Sequence, residues 1–120
     1  MARILIVDDN EDNRELLRKV LSIRGHEIIE AEDGMEGVEL ALMEDPDIVL
    51  MDVQLPVMDG YTATRRIKQF RDIPVIAITS YAMKGDRERA FSAGCDEYIS
   101  KPIDIKALPA LISKLLGGKK

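Results

Sequence analysis

The chain alternates unbroken apolar runs with stretches whose apolar residues recur every three or four positions. Ile4-Leu5-Ile6-Val7, Ile48-Val49-Leu50-Met51 and Val75-Ile76-Ala77-Ile78 contain no polar residue. Runs of this kind predict strands covered on both faces, as in a parallel sheet. Strands are expected near 3–8, 27–31, 47–52, 74–79 and 97–100. Amphipathic stretches lie between them. Leu16, Leu17, Val20 and Leu21 share a face of the first helix, which Gly25 stops. Met35, Val38, Ala41 and Leu42 do the same in the second, closed by Pro46. Tyr61, Thr64 and Ile67 mark a third helix near 60–70, and a fourth runs near 85–93 until Gly94. The fifth carries Ile105, Leu108, Leu111, Ile112 and Leu115. A proline inside that helix would remove an amide donor and crowd the preceding turn, so a late start is expected, with Pro109 in the first turn.

Strand–helix alternation with right-handed crossovers predicts an α/β fold, a doubly wound parallel (βα)5 sheet with helices on both faces. Among doubly wound strand orders, 2-1-3-4-5 is expected. At 120 residues and 46% hydrophobic content, the chain suits one domain spanning 1–120 with a real core. The net charge of −5 argues against a general binder of nucleic-acid phosphates. The one cysteine, Cys95, rules out an internal disulfide and is read as a small buried apolar group. Nothing resembles a membrane span or a secretory leader, so a cytoplasmic location is expected. His26 is read as a surface group or a favourable helix-terminal charge. The mixed charges of the first helix (Glu11, Asp12, Arg14, Glu15, Arg18, Lys19) are read as a solvated face.

The apolar runs end in chemistry. The first leads into Asp8-Asp9, the second into Asp52, the third into Thr79-Ser80, and Tyr98-Ile99-Ser100 leads into Lys101-Pro102. Ligands of open α/β sheets bind beyond the carboxyl ends of the strands, so these groups should gather at one edge. Crowded carboxylates repel, and a divalent cation relieves that repulsion. Magnesium prefers hard oxygens and keeps several waters. Asp9 and Asp52 are candidate direct ligands, Asp8 one acting through water, and the Gln54 backbone carbonyl a further oxygen. Thr79 can donate to a phosphoryl oxygen. Lys101 can supply charge to the same group, or pair with Asp52 when no phosphoryl is present. A cis Lys101–Pro102 bond would aim the lysine inward. Each piece also has a plainer reading. Asp8-Asp9-Asn10 can cap a helix, Asp52 can start a turn before Pro56, Thr79 can be a turn hydroxyl, and Lys101 a surface charge.

Together these residues, with Pro56 through Met58-Asp59-Gly60, resemble the receiver domain of two-component response regulators, the CheY-like fold. The resemblance covers essentially the whole chain. The segment from Ala82-Met83-Lys84-Gly85-Asp86 to Lys101-Pro102 also resembles single-domain regulators of the DivK kind and receivers of hybrid kinases. The resemblance implies a phosphorylation-dependent signalling switch rather than an enzyme acting on outside substrates. Asp52 would accept a phosphoryl group from a phosphohistidine on a histidine kinase or histidine phosphotransfer protein, with Mg2+ (Mn2+ as a substitute), and water would later reset it. Thr79 and Tyr98 would form the switch. Tyr98 can alternatively be a fixed edge aromatic with its hydroxyl in water. A downstream protein would read the face of the fourth helix, fifth strand and fifth helix. Gln54 and Tyr81, each two residues beyond a site residue, would tune phosphoryl lifetime. Gly60 is a structural position.

Other functions fit less well. A phosphohydrolase of the haloacid dehalogenase type would want a second aspartate two residues after its nucleophile, where Gln54 stands. A flavodoxin relative would want a glycine- and hydroxyl-rich phosphate loop in place of Asp8-Asp9-Asn10-Glu11-Asp12. A scaffold unable to accept phosphate would lack a key position, and none is missing. No output domain is expected, which fits a stand-alone regulator or a receiver module excised from a hybrid kinase or larger regulator.

Overall fold

A computed structural model describes residues 2–80 and 84–117. The element order is β1 (Arg3–Val7), α1 (Glu11–Ser22), β2 (Glu27–Ala31), α2 (Gly34–Glu44), β3 (Ile48–Asp52), α3 (Gly60–Phe70), β4 (Val75–Thr79), α4 (Asp86–Ser92), β5 (Glu97–Ser100) and α5 (Leu108–Gly117). All strand pairs are parallel, in the order β2-β1-β3-β4-β5. The fold and strand order match the expectation.

The unbroken apolar runs have the cause inferred for them. Every residue of β3 and β4 is buried, because helices cover both faces of the sheet. Leu5, Val7, Val49, Met51, Val75 and Ala77 point toward α2, α3 and α4, where Ala41, Ala63, Ile67 and Ala90 meet them. Ile4, Ile6, Ile48, Leu50, Ile76 and Ile78 point to the other face, against Leu17 and Leu21 of α1 and Leu108 and Ile112 of α5. Among the described residues no helix is long and apolar enough to cross a membrane.

Local chemistry sets the helix starts. Asn10 caps α1 by accepting from the Asn13 amide, and Asp33 caps α2 by accepting from the Glu36 amide. Asp59 caps α3 by accepting from the Tyr61 and Thr62 amides and the Thr62 hydroxyl. Gly25 and Gly94 follow α1 and α4 with positive φ, the left-handed turn glycine permits. The fifth helix does start late, at Leu108 with Pro109 second.

Some packing expectations fail. Leu16 is 47% exposed, while Arg14, read as solvated, is 7% exposed. The inward stripe of α1 is Arg14, Leu17 and Leu21. Met35 is also exposed, because α2 turns Gly34 and Gly37 inward instead, against Met58 and Val7. Ile105 lies before α5 and is exposed. His26 is not a helix-terminal cation. Its Nδ1 sits 3.1 Å from the Ala2 amide in acceptor geometry, and burial, helped by Arg24, pushes its pKa down.

Candidate functional site

The parallel register carries three strand ends to one edge. Val7 pairs with Met51 and Asp52 with Ile78, so Asp8, Asp52 and Thr79 emerge side by side. The Asp8 amide still donates to Ala31, which ties the first residue past β1 to the sheet. Asp8 and Asp52 are buried, at 3% and 4% exposure. Asp9 is exposed. One carboxylate oxygen from each of the three lies within 4.8 Å of the others.

Lys101 arrives from beyond β5. Its amide donates to the Thr79 carbonyl at 2.7 Å, which continues the β4–β5 ladder past the strand end. The Lys101–Pro102 peptide bond is cis. The Lys101 ammonium lies 3.2 Å from Asp52 Oδ2 and 3.4 Å from Asp8 Oδ2. A side chain 93 residues along the chain from Asp8 and 49 from Asp52 thus bridges both acids.

The electrostatics are those of a crowded, partly dry anionic site. Burial pushes the Asp52 carboxyl above the ordinary carboxylate value, and Asp8 adds to that; the Gln54 amide and Lys101 oppose it without prevailing. Burial alone would pull the Lys101 ammonium down, but Asp52 and Asp8 outweigh it and hold Lys101 above its usual value. The Gln54 amide donates to Asp52 Oδ1 at 3.0 Å and the Lys101 ammonium to Oδ2, so each acceptor oxygen is oriented from its own side. Asp8 Oδ1 accepts from the Asn10 amide at 2.9 Å, and Asp8 Oδ2 lies 3.4 Å from Asn13 Nδ2. The donor set consists of hard carboxylate oxygens on two strand ends, one exposed side chain among them. Such a set suits a hydrated divalent cation.

The other candidates fall around this cluster. Thr79 is buried at the end of β4 and borders a hollow of about 450 Å³ shared with Gln54, Asp59 and Arg89. Gly60 sits hard against the backbone of Asp52 and Val53. Tyr98, one strand further out, packs against the α2–α3–α4 side of the core. Its hydroxyl is shut off from solvent, not in water, and has no hydrogen-bond partner among the described residues. Burial pushes its phenol up. Tyr81 lies outside the described residues. Two residues near the acids carried no sequence signal of their own: Asn13 and Arg14, which sit inside a run of mixed charge. An i, i+5 relation between Asp8 and Asn13 was the available cue, and only the turn geometry gives it meaning.

A buried carboxylate at the centre of a five-stranded parallel sheet edge, flanked by two acids and an ammonium, is a site at the carboxyl ends of the strands, where doubly wound sheets bind their ligands. The receiver-domain profile, "Response regulator receiver domain", matches residues 4–113, and the chain belongs to that family. It is 44% identical over 117 residues to the polar-differentiation response regulator DivK of Brucella ovis, covering 95% of both chains. DivK of Brucella melitensis matches to the same extent. Among solved structures, a CheY-like response regulator receiver domain protein from Methanospirillum hungatei superposes with a TM-score of 0.93 at 29% identity, covering 98% of this chain and 95% of that one. The receiver domain of a sensor histidine kinase from Pseudomonas aeruginosa, with a magnesium ion coordinated in its active site cleft, gives a TM-score of 0.89 at 35% identity, covering 97% and 98%. The protein is therefore a phosphorylation-dependent signalling module, and its general partners are histidine kinases or phosphotransfer proteins.

Proposed function

We propose that Asp52 is the phosphoacceptor. The observation that carries this is its position: a buried carboxylate with Lys101 at 3.2 Å and with oxygens of Asp8 and Asp9 within 4.8 Å. An Asp52 carboxylate oxygen attacks the phosphorus of a partner's phosphohistidine. The P–O bond forms as the P–N bond breaks, and the imidazole leaves to take up a proton. The carboxylate is already a nucleophile and needs no base, so the protein's part is positioning and charge neutralisation. Lys101 exchanges its hold on Asp52 for the phosphoryl oxygens, and the Thr79 hydroxyl donates to another.

Asp9 and Asp52 would hold Mg2+ directly, Asp8 would act through water, and the Gln54 carbonyl would complete the protein's share; the same hard oxygens suit Mn2+. When bound, the cation neutralises the charge of the acids and the incoming phosphoryl group. In the reset, water attacks phosphorus, the P–O bond to Asp52 breaks, and inorganic phosphate leaves with the carboxylate restored. Gln54 and Tyr81 govern the water's approach. A cytoplasmic location fits contact with kinases.

The readout face is α4, β5 and α5. A groove of about 760 Å³ there is lined by Tyr98, Ile99, Leu108 and Leu111, among others. A Tyr98 ring that borders this groove, its buried hydroxyl without a partner among the described residues, supports its place in the switch with Thr79. The phosphoryl group adds about −1.5 to −2 charge units, enough to bias a two-state element. Intact-mass measurement after incubation with acetyl phosphate and Mg2+ tests the assignment. The wild type gains one phosphoryl mass and Asp52→Asn gains none; equal gain in both proteins refutes it.

A further inference from the structure

Arg14 is buried at 7% exposure, yet it forms no part of the acid–lysine cluster. Its Nη1 donates to the Asp8 backbone carbonyl at 2.7 Å, and its Nε donates to Glu30 Oε1 at 3.1 Å. The other Glu30 oxygen is taken by Arg18 Nη1 at 2.6 Å. A guanidinium presents its donors in a rigid planar fork, whereas an ammonium is a compact charge on a flexible stem. Arg14 thus joins α1, β2 and the Asp8-Asp9 turn at one point.

Asp8 is held from both sides. Its carboxylate is turned by the Asn10 amide, Asn13 and Lys101. Its carbonyl is the remaining handle, and Arg14 grips it. That carbonyl belongs to the peptide unit leading into Asp9, the exposed acid of the three. A shift of this peptide moves the Asp9 carboxylate relative to Asp52. Charge alone gives Arg14 the opposite effect: a buried cation beside a cation site repels the ion, and Glu30 neutralises it.

We propose that Arg14, braced by Glu30, is a positioning residue for the divalent-cation site, fixing the Asp8–Asp9 peptide so that both acids face Asp52. This rests on the reading that the three acids hold Mg2+.

The test is Mg2+ titration by calorimetry on wild type, Arg14→Met, Arg14→Lys, Glu30→Gln and Asp52→Asn, with urea unfolding of each to establish that the fold is retained. Groups that orient metal ligands are worth about 10- to 100-fold in affinity. The expected result is an Mg2+ Kd weakened at least about tenfold in Arg14→Met and in Arg14→Lys, although the first variant removes a repelling charge. Glu30→Gln weakens it as well. An unchanged or tighter Kd in Arg14→Met, or full recovery in Arg14→Lys, overturns the brace. If Arg14→Met does not fold, Arg14→Lys and Glu30→Gln decide by the same criterion. A wild type that binds no Mg2+, or that binds it as Asp52→Asn does, instead sinks the cation reading itself. Binding by the wild type that is insensitive to Arg14 sinks only the present inference.

Discussion

A methyl group added at Gly60 would lie 2.2 Å from the Asp52 carbonyl oxygen and 2.8 Å from Val53 Cα. Both are backbone atoms of the strand end that presents the Asp52 carboxylate, so neither can yield without moving it. Gly60→Ala is expected to lose about 1–3 kcal/mol of stability by urea unfolding. His26 makes a different residue-scale prediction. Its pKa is lowered in the fold, so folding favours the neutral ring. Its contribution is present above its unfolded value of about 6.5 and is lost as pH falls from there through the lower folded value. Stability should therefore fall as pH drops below about 6.5 in the wild type, with a shallower slope in His26→Gln; identical slopes exclude His26 as the source. At this scale the sequence was partly legible. Asp8, Asp9, Asp52 and Lys101 could be found because each lies within two residues of the end of an apolar run, and the run ends locate the sheet edge. Arg14 could not, because its burial depends on Glu30, on another element 16 residues away. A charge pattern along one helix contains no information about that partner.

Elements were legible wherever local chemistry decides them. Pro109 placed the start of α5, and the turn glycines marked the ends of α1 and α4. Faces were less legible. In α1 and α2 the spacing of large apolar residues located the buried face, as Leu17, Leu21 and Ala41 show, but not its edges: Leu16 and Met35 are exposed while Arg14, Gly34 and Gly37 turn inward. A glycine can press closer to a neighbour than a methionine, so Gly34 and Gly37 displaced Met35 from the interface. The cap of α3 carries a direct prediction. Asp59 accepts three hydrogen bonds at that terminus, and those donors hold its carboxyl below the ordinary value despite the opposing effect of burial. Asp59→Ala should cost about 1 kcal/mol in denaturant unfolding at neutral pH. Because the folded pKa is depressed, that difference is present above about pH 3.9 and shrinks as pH falls through the folded value.

For the molecule as a whole, the sheet is both core and scaffold. Helices α1 and α5 seal one face, α2, α3 and α4 the other, and the polar groups are left to the carboxyl-terminal edge. Asp52 is kept ionisable there at a cost that burial makes plain. A ligand that neutralises the acids should therefore stabilise the entire fold. At 100 times its Kd, Mg2+ is expected to add about 2.7 kcal/mol, read as a rise in Tm that Asp52→Asn reduces. No rise in the wild type would count against a cation at this edge.

The lysine that faces Asp52 joins it only across 49 residues of intervening chain, after β4 and β5 have docked. A nascent polypeptide still emerging from the ribosome holds Asp52 long before it holds Lys101. Until β5 docks against β4, the acid lacks the cation that faces it, so the edge is complete only once the fifth strand is in place.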